Sequence, residues 1–283
     1  MVLDSFVKKT IKRVAIVGCG PGGLAAARAL KNEQCFDTIT IFERNNHTGG
    51  TWKYSPEKNT PPPFPSVNAL EVDNTLREPE LHSPIYANLH TNLPHSVMCF
   101  HDVPFPEDTP LYPSHAHVMD YLSHVAEQEN IVSLVRFRTL VENAEFIDEA
   151  WHISVLELET DRRYTEKFDA LVVATGHYAV PYIPGLPGLK QISENKSIEL
   201  VHSREYRQPN EYKNKVVFVI GGGSSANDIV REVATVAKKV YQSIRTPTEL
   251  SRQSISLNPP NVQQVALVKQ FSDGAIQLED NQT

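Results

Sequence analysis

Residues 14–24 read VAIVGCGPGGL, an apolar run that ends in a cluster of glycines. Apolar, β-branched runs of this length are typical of a buried strand, and the residues after the glycines favour a helix. The spacing G-x-G-x-x-G falls on Gly18, Gly20 and Gly23. These glycines would allow a tight turn, a close approach of a pyrophosphate to the backbone, and close packing of helix on strand, respectively. The stretch therefore predicts a dinucleotide site with the phosphates at a helix N-terminus.

The pattern recurs at residues 216–226, which read VVFVIGGGSSA. Gly221 and Gly223 take the first two glycine positions, and Ala226 takes the third, an accepted variant of the motif. The sequence thus predicts two dinucleotide sites on one chain.

The residues that follow the next strand differ between the two copies. Glu43 follows TITIF at 38–42, where a carboxylate would accept hydrogen bonds from ribose hydroxyls. Arg245 follows KVYQSI at 239–244, where a guanidinium would bind a 2′-phosphate that a carboxylate repels. The first site is therefore predicted to bind FAD and the second NADPH. A solvated surface arginine is the alternative for Arg245.

Composition narrows the class of protein. The 283 residues suffice for about two domains, and the net charge of −7 argues against nucleic acid as a partner. No stretch suggests a signal peptide or a membrane span, and Cys19, Cys35 and Cys99 lack metal-ligand spacing. We expect a cytoplasmic protein without a metal; association with the cytosolic face of the endoplasmic reticulum stays open.

The sequence predicts an α/β fold with two Rossmann-like three-layer domains, residues 1–180 for FAD and 181–283 for NADPH. Residues 55–113 are rich in proline and predict irregular coverage. Residues 114–128 predict a helix, and 137–147, 151–159 and 168–176 predict strands. Arg162 and Arg163 are placed near a turn.

Further motifs follow one another along the chain: Glu43–Arg44, GGTW at 49–52, YANLHTNLP at 86–94, PFP at 104–106, PSH at 113–115, ATGHY at 174–178 and VHSREY at 201–206. With the two fingerprints, they resemble the flavin-containing monooxygenases, most closely the fungal branch. The resemblance implies that the NADPH domain is inserted into the FAD domain. It also implies that NADPH reduces FAD, and that a flavin hydroperoxide passes one oxygen atom of O2 to a soft thiol, sulfide or amine.

The resemblance also assigns site residues. Asn92 would be catalytic, because its amide can donate and accept hydrogen bonds beside the flavin and the nicotinamide without adding charge. A turn residue is the alternative for Asn92, and a core aromatic is the alternative for Trp52. The other cofactor-binding residues implied by the fingerprints and the resemblance are Gly18, Gly20, Pro21, Gly22, Gly23, Glu43, Arg44, Gly50, Thr51, Trp52, Thr91, Gly221, Gly223, Ser224, Ser225 and Arg245.

Two departures from the family pattern stand out. The family hallmark places phenylalanine and glycine where this chain has Lys196 and Ile198, although His202 and Tyr206 remain, and this argues against a Baeyer–Villiger enzyme. Members of the family are also longer. Residues 271–280 resemble the hairpin before the return to the FAD domain, so a fragment, a splice form or a truncated gene product is expected.

Two other functions compete with the monooxygenase. One is a catalytically impaired nucleotide-binding remnant of such an enzyme. The other is a disulfide reductase, which would need a closely spaced cysteine pair that Cys19, Cys35 and Cys99 do not provide. The sequence names neither the substrate nor the oligomeric state.

Overall fold

A computed structural model describes residues 10–72, 80–245, 259–272 and 274–280. The chain divides into two compact units, each built from several stretches of sequence. The first unit comprises Met1–Lys53, Thr75–Ser83 and Leu93–Ala179, and the second comprises Tyr54–Asn74, Pro84–Asn92 and Val180–Thr283.

The helices and strands of the described residues are, in chain order, β1 (Arg13–Val17), α1 (Pro21–Glu33), β2 (Thr38–Phe42), α2 (Ala69–Val72), α3 (His115–Gln128), β3 (Val135–Arg136), β4 (Thr139–Ile147), β5 (Ala150–Glu157), β6 (Arg162–Phe168), β7 (Ala170–Val173), α4 (Leu189–Asn195), β8 (Val216–Ile220), α5 (Ser224–Ala234), β9 (Lys239–Ser243), β10 (Val262–Val265), β11 (Val268–Ser272) and β12 (Ala275–Leu278).

The first unit has three layers around a parallel sheet of order β3-β2-β1-β7. Successive residues of β1 serve opposite faces, because side chains alternate along a strand. Ile16 packs with Leu24 of α1 and Val125 of α3 in one apolar cluster. Ala15 packs in another cluster with Ile153 of the antiparallel meander β4-β5-β6. The layers are therefore helices, parallel sheet and meander.

The second unit contains a parallel sheet of order β10-β9-β8. Helix α5 buries Val230 and Val233 against Val240 of β9. The antiparallel hairpin β11–β12 packs against α4 through Phe271 and Ile192. The unit thus combines a Rossmann-type sheet and helix with a small hairpin layer.

Most predicted elements are found close to their expected bounds, and one strand was missed. Helix α3 and strands β4 and β7 lie within the predicted stretches, β5 begins one residue before its predicted stretch, and a hairpin is present at 268–278. Arg162 and Arg163 directly follow the turn at 158–161, as expected, but they also begin β6, a strand that was not predicted. Charged residues dominate β6 because one of its faces is exposed, and only Phe168 is fully buried.

The described residues 55–72 and 80–113 are irregular apart from short helical turns and isolated β-bridges, as the prolines predict. The second unit takes in part of this region as well as the residues after Ala179. The pairing of one cofactor with each unit stays a proposal. Within the described ranges, no helix combines the length and the hydropathy that crossing a bilayer requires.

Candidate functional site

The first fingerprint forms a tight turn between β1 and α1. Gly18 has φ of +100°, and its N–H donates to the carbonyl oxygen of Phe42 at 2.8 Å. A Cβ added to Gly18 would lie 2.4 Å from the carbonyl oxygen of Ala174, and one added to Gly23 would lie 1.9 Å from that of Gly18. The fold itself therefore requires glycine at both positions.

Gly20 is different, because the fold does not require glycine there. Its φ of −76° suits any residue, and an added Cβ would make only an ordinary 3.6 Å contact with Cα of Gly50. Gly20 is the N-cap of α1, and Pro21 stands at the start of the helix. Within the described part of the chain, no side chain caps this end, and the first turn carries no acidic residue. The free N–H groups and the helix dipole therefore suit an anionic ligand.

Glu43 is fixed against this turn. The side chain is buried, Oε2 accepts from the Cys19 N–H at 2.8 Å, and Oε1 accepts from the Asn45 N–H at 2.8 Å. A carboxylate oxygen has a second lone pair, so Glu43 can still accept from a ribose hydroxyl. Burial, and then the charge of Glu43, raise the pKa of the Cys19 thiol to about 12.

The GGTW motif packs onto the same turn. The Gly49 N–H donates to the carbonyl oxygen of Cys19 at 2.9 Å. Gly50 has φ of +54°, and a Cβ there would lie 2.8 Å from Cα of Gly20. Thr51 and the partly buried Trp52 continue from this contact. The structure thus brings together the residues predicted for the first site within this unit, with Arg44 next to Glu43.

The second fingerprint repeats this geometry. Gly221 has φ of +140°, and its N–H donates to the carbonyl oxygen of Ser243 at 3.0 Å. Gly223 is the N-cap of α5, which begins at Ser224 and Ser225. No described side chain caps this end, and its first turn carries no acidic residue. No described atom lies within 4 Å of a Cβ added to Gly223. Here too the middle glycine leaves room beside a helix N-terminus.

Gln242 supports the second turn. It is almost completely buried, and its Nε2 donates to the carbonyl oxygen of Gly221 at 3.1 Å and to Oδ1 of Asn227 at 2.9 Å. No local pattern predicts this role, because the pairing of β8 with β9 is what brings the glutamine to the turn.

The strand registers align the two sites residue by residue. Val17 pairs with Phe42 in the first unit, and Ile220 pairs with Ser243 in the second. Counting onward, Ile244 holds the position of Glu43. Arg245 therefore corresponds to Arg44, whereas the spacing of the two fingerprints had paired it with Glu43. Its side chain is exposed.

Asn92 lies at the start of α5. Its Nδ2 donates to Oγ of Ser224 at 3.4 Å, and Asn92 itself is exposed. Its neighbour Thr91 is buried. The predicted catalytic residue is thus beside the second fingerprint.

Two tyrosines anchor α5, a role that the sequence analysis did not assign. The Tyr86 hydroxyl donates to Oδ2 of Asp228 at 2.7 Å, and the Tyr206 hydroxyl donates to Oε2 of Glu232 at 2.6 Å. Asp228 and Glu232 are four residues apart and share one face of the helix. Burial raises the pKa of both phenols, so both remain donors. Tyr86 and Tyr206 occur within motifs that the sequence analysis quoted, which was the available signal.

His202, one of the two hallmark residues that this chain retains, caps a short helical turn. Its Nδ1 accepts from the Arg204 N–H at 3.2 Å. Burial, and then the charge of Arg204, lower the pKa of His202. The buried guanidinium of Arg207 donates to the carbonyl oxygens of Glu57 and Arg204. His202 therefore has a structural role in this segment.

Comparison with known proteins gives a consistent result. The family model FMO-like, flavin-binding monooxygenase-like, matches residues 11–272. Flavin-containing monooxygenase FMO GS-OX5 of Arabidopsis thaliana is 36% identical over 241 residues, or 82% of this chain and 49% of that protein. FMO GS-OX3 of the same plant is 34% identical over 263 residues, or 89% and 53%. The structure of S-allyl-L-cysteine S-oxygenase from Allium sativum gives a TM-score of 0.78 at 31% identity, covering 96% of this chain and 60% of that one. The chain spans about half the length of these curated relatives.

Proposed function

The chain belongs to the flavin-binding monooxygenase-like family, and from this premise we propose that it binds FAD in the first unit and NADPH in the second. Members of this family use FAD and NADPH. The proposed activity is transfer of one oxygen atom from O2 to a small molecule with a soft sulfur or nitrogen.

One observation carries the cofactor proposal. Close contacts inside the fold require Gly18 and Gly23, and a φ of +140° favours glycine at Gly221. Among the described residues, by contrast, a Cβ added to Gly20 would make only a 3.6 Å contact, and one added to Gly223 would meet no atom within 4 Å. Each glycine is the N-cap residue of a helix that has no described side-chain cap and no acidic residue in its first turn. A pyrophosphate that must approach the backbone closely accounts for glycine at these two places.

The residues present fit the two cofactors. For FAD, Gly22 and Gly23 would present N–H groups to the phosphates, and Glu43 would accept from the ribose. Arg44, Gly50, Thr51 and Trp52 would surround the flavin nucleotide. The resemblance supports these roles, and the packing of the GGTW motif on Gly20 is consistent with them.

For NADPH, Ser224 and Ser225 would contribute N–H and hydroxyl donors to the phosphates at the start of α5. Arg245 is exposed and free to approach a 2′-phosphate. Asn92 would orient the nicotinamide through its amide, and the buried Thr91 beside it would also contact the cofactors, as the resemblance implies. The contact between Asn92 and Ser224 supports this placement, and its role toward the flavin rests on the resemblance.

Sulfur is the substrate atom that we propose first. A relative that is 31% identical is named an S-oxygenase of S-allyl-L-cysteine. Bound FAD would supply the oxygen activation, and the protein would orient the cofactors and exclude water. In a balanced turnover, one oxygen atom goes to the sulfide, and the other leaves as water while NADPH is oxidised.

The test is oxygen uptake by the purified chain with FAD, NADPH and a small sulfide such as S-allyl-L-cysteine. We expect NADPH-dependent uptake and formation of the sulfoxide, and we expect loss of both in Gly20→Ala. Gly185→Ala is the control, because no described atom lies within 4 Å of the new Cβ. Gly176 is unsuitable for this purpose because its φ is +71°. Cofactor binding without oxygen uptake would favour the nucleotide-binding remnant.

A further inference from the structure

The two nucleotide turns differ at one buried position that the strand registers make equivalent. In the first unit the residue after the Phe42 carbonyl is Glu43, and in the second the residue after the Ser243 carbonyl is Ile244. Both side chains are largely buried. An acid that would accept from ribose hydroxyls is therefore replaced by an aliphatic side chain.

The two side chains also make different contacts with the second residue of their turns. Glu43 reaches the backbone N–H of Cys19, the second residue of its turn, at 2.8 Å. The equivalent residue in the second turn is Gly222, and a Cβ there would lie 3.2 Å from Cγ2 of Ile244. The branched side chain thus lies directly against Gly222, in the place where the first turn holds a carboxylate.

We propose that Ile244 is a specificity-determining residue of the second site. It favours NADPH because it lacks the hydrogen-bond acceptor that would bind the ribose 2′-hydroxyl of NADH. The inference rests on the proposed NADPH site. Isoleucine offers no hydrogen-bond acceptor to a 2′-hydroxyl, so the adenosine ribose of NADH gains nothing from this position. It also places no negative charge beside a 2′-phosphate, which would otherwise be repelled.

Ile244 and Arg245 then have separate roles in the selection of NADPH over NADH. Arg245, the next residue, is exposed and can pair with the 2′-phosphate. Removal of Arg245 alone weakens NADPH without strengthening NADH, because no acceptor is created. A change of preference toward NADH requires an acceptor at residue 244.

The test is the substitution Ile244→Glu, with Kd for NADPH and for NADH measured by calorimetry on the FAD-supplemented chain. Glu at this position can accept from the Gly222 N–H as Glu43 accepts from that of Cys19. We expect NADH to bind about tenfold more tightly and NADPH about tenfold more weakly. Ile244→Leu is the matched control and should leave the ratio of the two Kd values unchanged.

Ile244→Gln covers the case in which the buried glutamate prevents folding, which circular dichroism would reveal. Its neutral amide oxygen can accept from a ribose hydroxyl, so the preference for NADPH should shrink about tenfold. An unchanged ratio in a folded Ile244→Glu or Ile244→Gln variant would overturn the inference and leave the NADPH site standing. Failure of the unsubstituted chain to bind either nucleotide would overturn both.

Discussion

The backbone N–H of Cys19 donates to Oε2 of Glu43 at 2.8 Å, which joins the middle of the first glycine turn to the residue after β2. The same contact places a thiol and a carboxylate close together in a buried site. The pKa of Cys19 is raised to about 12, chiefly by burial, so the thiol is protonated at neutral pH. Cys19 is therefore a small packing residue of the turn rather than a nucleophile.

Alkylation separates Cys19 from Cys35. Cys35 is exposed and Cys19 is fully buried. In the folded protein, iodoacetamide near pH 8 should label Cys35 well before Cys19, because only a thiolate reacts and Cys19 is also inaccessible. Mass spectrometry of the tryptic peptides measures this. Equal labelling rates for the two cysteines in folded protein would refute the assignment.

The glycines of the first turn should separate stability from binding. Gly23→Ala puts a Cβ 1.9 Å from the Gly18 carbonyl oxygen and should cost about 3 kcal/mol or more of the free energy of unfolding. Gly20→Ala should cost about 1 kcal/mol or less as an N-cap change yet abolish FAD retention. Urea unfolding and flavin content measure the two effects. Full FAD content in Gly20→Ala would remove the first-site assignment.

The tyrosine anchors of α5 predict a measurable loss of stability. Tyr206→Phe removes the donor to Glu232, and Tyr86→Phe removes the donor to Asp228. Each should lower the free energy of unfolding by about 1 kcal/mol. The two losses should not add fully, because the rings are in contact at 5.6 Å between centroids. Tyr178→Phe, at an exposed position, is the control and should have no effect.

His202 predicts a pH dependence of stability. Its folded pKa lies below the ordinary value of 6.5, so the unfolded chain binds more protons there. The stabilisation is present above the unfolded pKa and is lost as the pH falls through the folded pKa. His202→Asn keeps a capping acceptor but does not titrate. Between about pH 7.5 and pH 5, the unsubstituted chain should therefore lose more stability than the variant. Parallel losses would contradict this.

Arg245→Ala should weaken NADPH far more than NADH. The guanidinium can pair with a 2′-phosphate that NADH lacks, so its loss should cost about tenfold or more in the Kd for NADPH. Lys239→Ala, at the other end of β9, is the matched loss of one positive charge. Equal weakening of both nucleotides in Arg245→Ala would show that this arginine does not recognise the 2′-phosphate.

The sequence predicted those features that depend on neighbours along the chain. The turns at Gly18 and Gly221, helix α3 and the hairpin that includes Phe271 follow from local spacing and periodicity. Strand β6 was missed because its charged residues, RRYTEKF, resemble a solvated loop, and pairing with β5 makes it a strand. Local patterns therefore predict turns and helices better than strands that depend on pairing.

Long-range pairing decided the remainder. The alignment of Ile244 with Glu43 depends on the register of β9 against β8, which sequence spacing alone misplaced by one residue. The supporting contacts of Gln242 and Tyr86 join residues distant in sequence, and the local sequence predicts neither contact, although Tyr86 begins the YANLHTNLP motif. The site was thus predictable in its motifs and not in the side chains that hold them.

The most direct measurement is the visible absorbance spectrum of the purified chain with FAD supplied, recorded before and after anaerobic addition of NADPH. Flavin bands that copurify with the protein and bleach on addition of NADPH are the result expected if one chain binds both cofactors and passes electrons between them. A protein that retains no FAD, or bound flavin that NADPH leaves oxidised, would contradict the proposed function.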